Sequence, residues 1–174
     1  MKISLRNIVI AGMLGAVSII LGVSGIGLIP VPTIAGKVTI MHIPTILGAV
    51  VEGPIVGVLI GLIFGLFSFL RASNAWFADP LVSILPRLFI GITAYLTYVG
   101  IKKINIYLAY ISAGIIGSLT NTILVLTMAV LRGYTPVEGA LSIAVIHGIP
   151  EALVAAILVS ILARAIHKYM EKTD

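Results

Sequence analysis

Apolar residues in this chain are gathered into runs long enough to cross a bilayer, and that property decides most of what the chain can become. The windows fall at 7–29, 38–51, 54–70, 80–100, 105–131 and 149–168. A helix needs roughly 20 apolar residues to cross the hydrocarbon, so six of them with short connections use up 174 residues. With 60% hydrophobic and only 10% charged residues, the chain has more apolar side chains than a water-soluble core would hide. The expectation is an all-α, multi-pass protein of the cell membrane: six transmembrane helices in one bundle, forming a single domain over residues 1–174.

Charge sets the orientation. Lys2, Arg6, Lys102, Lys103, Arg164, Lys168 and Lys172 fall on the side of the termini, against Lys37, Arg71 and Arg132 on the other. By the positive-inside rule both termini are cytoplasmic. The net charge of +5 is thereby explained by topology, and no nucleic-acid partner is expected. Lys2 and Arg6 ahead of an apolar run resemble the start of a signal peptide, but no small-residue cleavage site followed by a soluble domain appears, so this segment is expected to stay as the first helix.

The connections differ in character. "GLIPVPTIAGKVT", between the first two spans, has prolines and glycines that forbid a regular helix and predict a structured outer loop. "EGP" at 52–54 is a tight turn with Pro54 at a first helical position. "RASNAWFADP" and "RGYTPVEG" are longer, polar and outward-facing. From Pro136 to His167 an unbroken helix would run about 50 Å, beyond the bilayer. "TPVE" at 135–138 reads as a capping box with Pro136 at the first helical position. Gly148 and Pro150, within "HGIPEAL", are expected to end that short helix and start the sixth span.

A few polar residues stand out against this background. Arg87 lies about 10 Å inside the fourth span, where a guanidinium must find a partner or water. Asn121 sits at mid-span of the fifth helix, and His147 and Glu151 enter at the outer end of the sixth. Two arrangements satisfy them: an Arg87–Glu151 ion pair that holds the bundle together, or a solvent-reached pocket lined by all four. The outer loop adds Asn74, Trp76, Phe77 and Asp79, with Trp76 either an interfacial anchor or a ring that stacks on a ligand. Asp79 and Asn74 fit turn and cap positions as well as ligand contacts. Lys37 is a solvated loop residue or a positive charge on a lid over an anionic ligand.

Small residues mark packing faces. Gly57, Gly61 and Gly65 recur every four residues, and the first helix aligns Ala11 with Gly15 and Gly12 with Ala16; such faces let backbones approach in lipid, within the bundle or against a membrane partner. The sequence contains no phosphate-binding G-x-x-x-x-G-K-[ST] loop, H-E-x-x-H zinc motif or G-x-S-x-G elbow. ATP hydrolysis by this chain, a resident metal, a cofactor and enzymatic catalysis are therefore not expected.

"TIMHIPTILGAVVEGPIVGVLIGLIFGLFSF" and "DPLVSILPRLFIG" resemble the substrate-binding S components of energy-coupling factor transporters, which import vitamins. The elements "HIP...GP..G...G...G" and "S..PR...G" are most similar to the pantothenate-type branch. The resemblance implies that a vitamin is captured from outside, in a pocket near Asn74, Arg87, Asn121, His147 and Glu151, under the loop that carries Lys37. It also implies delivery through a transmembrane T subunit and two cytoplasmic ATPases, with Ala11 and Gly15 on the docking face. Pantothenate is the leading ligand, since its carboxylate would answer Arg87; riboflavin or a pyrimidine-type vitamin precursor is an alternative. A stand-alone secondary transporter with Arg87 and Glu151 as a proton relay is another.

Overall fold

The computed structural model describes residues 3–30, 37–72 and 74–172. Helix α1 (Leu5–Ser24) starts on a capping box, in which the Ser4 hydroxyl accepts from the Asn7 N–H and the Asn7 side chain accepts from the Ser4 N–H. After it, β1 (Leu28–Pro30) and β2 (Lys37–Thr39) pair antiparallel, with Leu28 opposite Thr39. Helices α2 (Ile43–Glu52) and α3 (Pro54–Leu70) form a hairpin about Gly53, whose φ of 100° suits a residue without a Cβ. Helix α4 (Pro80–Ser83) leads into α5 (Leu85–Ile101), followed by α6 (Ile106–Leu131). Helix α7 (Val137–Ile143), a π turn (Ala144–Gly148) and α8 (Ile149–Met170) finish the described chain.

Four of these stretches are long and apolar enough to cross a membrane: Leu5–Ser24, Pro80–Ile101, Ile106–Leu131 and Val137–Met170. The other two apolar helices, α2 and α3, have 10 and 17 residues. Of the second expected span, 38–51, only the part from Ile43 onward is helical: its first residues belong to β2 and a turn, and Pro44 in the first turn of α2 suits a helix start. Helix α2 occupies the middle of the bundle and packs on α1, α3, α5, α6 and α8, with every residue from Ile43 to Val50 buried.

Glycines decide how close the helices come. A Cβ on Gly57 would stand 2.9 Å from Gly91 Cα, and one on Gly91 would stand 2.6 Å from Gly57 C, so α3 and α5 cross with their backbones touching. One turn on, Gly61 lies against the Arg87 carbonyl. The four-residue glycine repeat is thus an internal packing face that seats the segment carrying Arg87.

Three expectations are corrected. Ala11 and Gly15 do not lie on an outward face: Ala11 is buried with Val56 and Ile60, and a Cβ on Gly15 would stand 2.6 Å from the Ile63 side chain. The face of α1 turned away from the bundle is the adjacent register, where Gly12 and Ala16 are exposed and Gly12 has nothing within 4 Å. Nor do Gly148 and Pro150 break the last helix. The chain winds continuously over the 34 residues Val137–Met170, and widens into the π turn just before Pro150, whose ring would crowd the preceding turn of a regular α-helix. Pro136 is the N-cap rather than the first helical residue, and proline has no side-chain oxygen with which to cap; the Thr135 hydroxyl donates to the Pro136 carbonyl.

Candidate functional site

At the end of the bundle that carries the β-hairpin lies a cavity of about 610 Å³. Its walls come from α3, the 71–79 connection, α5, α6 and the α7–α8 helix, with Thr39 of β2 at the side. Six of the seven expected ligand residues line it: Asn74, Trp76, Arg87, Asn121, His147 and Glu151.

Arg87 is 4% exposed. Its Nη1 donates to the Val82 carbonyl, and its guanidinium lies 5.3 Å from the Phe64 ring centroid and 5.2 Å from that of Phe77. Aromatic faces stabilise a desolvated cation without neutralising it. Its Nε has no hydrogen-bond partner. No ion pair joins Arg87 to Glu151: among the described residues the pairs within 4.0 Å are Arg6–Glu52 and Arg132–Asp79.

Glu151, 6% exposed, faces another set of partners. Its Oε1 accepts from the Thr39 backbone N–H at 2.9 Å, and its Oε2 accepts from the Thr122 hydroxyl at 3.4 Å. The carboxylate therefore ties the foot of the β-hairpin to the α6–α8 wall. Close by in the lining, Asn121 Oδ1 and His147 Nε2 have no partner. Buried polar atoms are ordinarily paired, so three orphaned atoms on one cavity form a set of groups that a polar ligand would satisfy.

The π turn explains how Ile143, His147 and Glu151 reach the same cavity. In a regular α-helix, residues four apart drift by about 40° around the axis. The slower winding of the π turn offsets that drift, which keeps these three residues in line over two turns.

Asp79 and Lys37 are placed differently from the rest. Asp79 does not line the cavity. It caps α4 by accepting from the Leu81 N–H at 2.9 Å, and its other oxygen accepts from Arg132 Nε at 2.6 Å and from the Tyr134 hydroxyl at 3.3 Å. It ties the start of the Pro80–Ile101 span to the end of α6. Lys37 is in β2 opposite Pro30, and its side chain lies outside the described residues, as does the loop at 31–36. Asn74 lines the cavity, and its Oδ1 also accepts from the Trp76 and Phe77 N–H groups, which bends the loop so that both rings face inward.

The Arg132 hydrogen bond, followed by the one from Leu81, holds the Asp79 carboxyl below its ordinary value of 3.8. A carboxylate with a depressed folded value contributes stability that is complete above the unfolded value and is lost as pH falls through the folded one. Asp79→Asn is therefore expected to unfold at lower temperature than the parent at pH 7, and the gap should close as the pH falls below 3.8. Thermal unfolding of the two proteins in detergent across that range measures it; a gap independent of pH would show that the tie is not ionic.

Membrane-length helices thus surround a half-open cavity with aromatic walls and a buried cation. The chain belongs to the family described as "ECF transporter, substrate-specific component", whose model matches residues 6–163. It is 28% identical over 157 residues to the pantothenic acid transporter PanT of Lactococcus lactis subsp. cremoris (strain MG1363), covering 76% of this chain and 79% of that one. A solved structure described as "Structure and mechanism of the S component of a bacterial ECF transporter" superposes with a TM-score of 0.62 at 19% identity, over 97% of this chain and 96% of the other. The protein is accordingly a multi-pass membrane component of a transporter.

Proposed function

We propose that this chain is the vitamin-capturing subunit of an ECF-type importer, that its ligand is pantothenate, and that it performs no catalysis itself. The observation that carries this reading is Arg87: a buried guanidinium that lines the cavity with no carboxylate in ion-pair contact. A ligand carboxylate would supply the missing charge, and a planar two-oxygen group suits the guanidinium fork. The similarity to a pantothenic acid transporter points the same way. Asn74, Trp76, Asn121, His147 and Glu151 complete the binding set, and Lys37 belongs to the cover over it. Asp79 is assigned to the scaffold.

In this reading the lysine and arginine asymmetry puts both termini in the cytoplasm and the cavity outside. Energy comes from two cytoplasmic ATPases through a T subunit. The docking face on α1 is Gly12 and Ala16 rather than Ala11 and Gly15, because only the former are open to a second chain. Gly12→Val is expected to leave ligand affinity and thermal stability unchanged and to reduce co-purification with the T subunit severalfold. Gly15→Val, by contrast, should lower stability by crowding Ile63.

The test of the ligand is native mass spectrometry of the gently purified protein, followed by calorimetric titration with pantothenate, riboflavin and pyrimidine-type vitamin precursors. Pantothenate is expected to bind with micromolar affinity or better. If none of the panel does, the vitamin-capture reading fails; if a neutral vitamin binds tightest, the carboxylate assignment fails with it.

A further inference from the structure

We propose that Glu151 determines specificity by reading hydrogen-bond donors that the ligand carries besides its acidic group. This rests on the binding function proposed above and adds the chemistry of the second wall of the cavity. Arg87 stands on α5 between the Phe64 and Phe77 rings, whereas Asn121 and Thr122 stand on α6 and His147 and Glu151 on the α7–α8 helix. The cation and the carboxylate therefore belong to different helices, and no bond joins them.

The second wall is rich in acceptors. A carboxylate has about four lone-pair positions and donates nothing when ionised. Two of the Glu151 positions are taken, by the Thr39 N–H and the Thr122 hydroxyl. The Asn121 carbonyl oxygen is buried and unpartnered. A ligand that offered only an anion would satisfy Arg87 and leave the Asn121 oxygen and the free positions of Glu151 without donors, and a second anion would be repelled by Glu151. The complementary class is an acid that also carries hydroxyl donors. Sites built on buried acceptors reject analogues that lack the donor, because the acceptor is then left unpaired.

The test compares pantothenate with its analogue in which both hydroxyls are replaced by hydrogen, titrated into the full chain in detergent. The analogue keeps the carboxylate and the amide. The parent protein is expected to prefer pantothenate by about 10- to 100-fold. Glu151→Gln should reduce that preference to about threefold or less while holding the analogue's affinity nearly constant. Equal affinities in the parent overturn the assignment and leave the vitamin-binding function standing. Equal losses of both ligands in Glu151→Gln also overturn it, since that pattern belongs to a purely structural tie to Thr39. Failure of the parent to bind either compound removes the pantothenate reading and this assignment with it. If Glu151→Gln does not fold, Asn121→Ala serves instead. It removes another acceptor of the same wall and should shrink the preference, and an unchanged preference overturns the proposal.

Discussion

Replacing Arg87 with alanine is expected to weaken pantothenate binding by about 100-fold or more, because truncating one partner of a buried, hydrogen-bonded charge pair costs about 2–5 kcal/mol. The loss should fall mainly on ligands that carry a carboxylate; a neutral ligand of similar size should lose far less. The cavity has a second cation in Arg71, but that residue is exposed at the end of α3, where water screens it. Because Arg87→Ala also removes the Val82 hydrogen bond and the contacts with Phe64 and Phe77, Arg87→Lys is the control. It keeps the charge but not the planar fork, and an intermediate loss of about 10-fold is expected. Calorimetric titration of the three proteins decides the matter: equal losses for charged and neutral ligands would remove the case for a carboxylate at Arg87.

Gly91→Val is expected to have the largest effect on the fold. At the α3–α5 crossing an added Cβ would meet the Gly57 backbone at 2.6 Å, and a backbone has no rotamer to change. Overpacking costs about 1–3 kcal/mol where side chains can give way; here the helices themselves must separate, so about 3 kcal/mol or more is expected. The separation would displace Arg87, four residues earlier on the same helix. The readout is the yield of monodisperse protein in detergent and its unfolding temperature. Gly100→Val is the matched control, since nothing lies within 4 Å of a Cβ there. Similar behaviour of the two variants would show that the close crossing is not what holds α3 to α5.

The polar members of the site were readable in the sequence because each is conspicuous in an apolar run. Arg87, Asn121, His147 and Glu151 carry a cost in lipid that calls for an explanation, and the cavity brings all four together. The partners were less readable. Phe64 is one aromatic in an apolar helix, with no local sign that it flanks a guanidinium. Thr39 acts through its backbone N–H, which every residue but proline has. Asp79 drew attention for its charge, yet its partner Arg132 lies 53 positions away, a pairing that only the fold reveals. The face of α1 was ambiguous because apolar residues surround that helix, and two small-residue stripes one position apart are equivalent until α3 covers one of them. The π turn was missed because Gly148 and Pro150 resemble a helix break; accommodation by wider winding depends on α6 being close enough for Gly148 to pack on Thr122.

Helix α2 is too short to cross the membrane. Its ten residues reach about 15 Å, half of the roughly 30 Å hydrocarbon layer, and in the finished bundle it is enclosed by five other helices. An element this short does not span the layer alone. Its position in the bilayer is therefore coupled to that of α3 through the hairpin about Gly53. The polar side-chain atoms of the buried His42 and Thr45 lack hydrogen-bond partners. The centre of the bundle is thus a segment too short to span the hydrocarbon layer by itself, held in place by the helices around it.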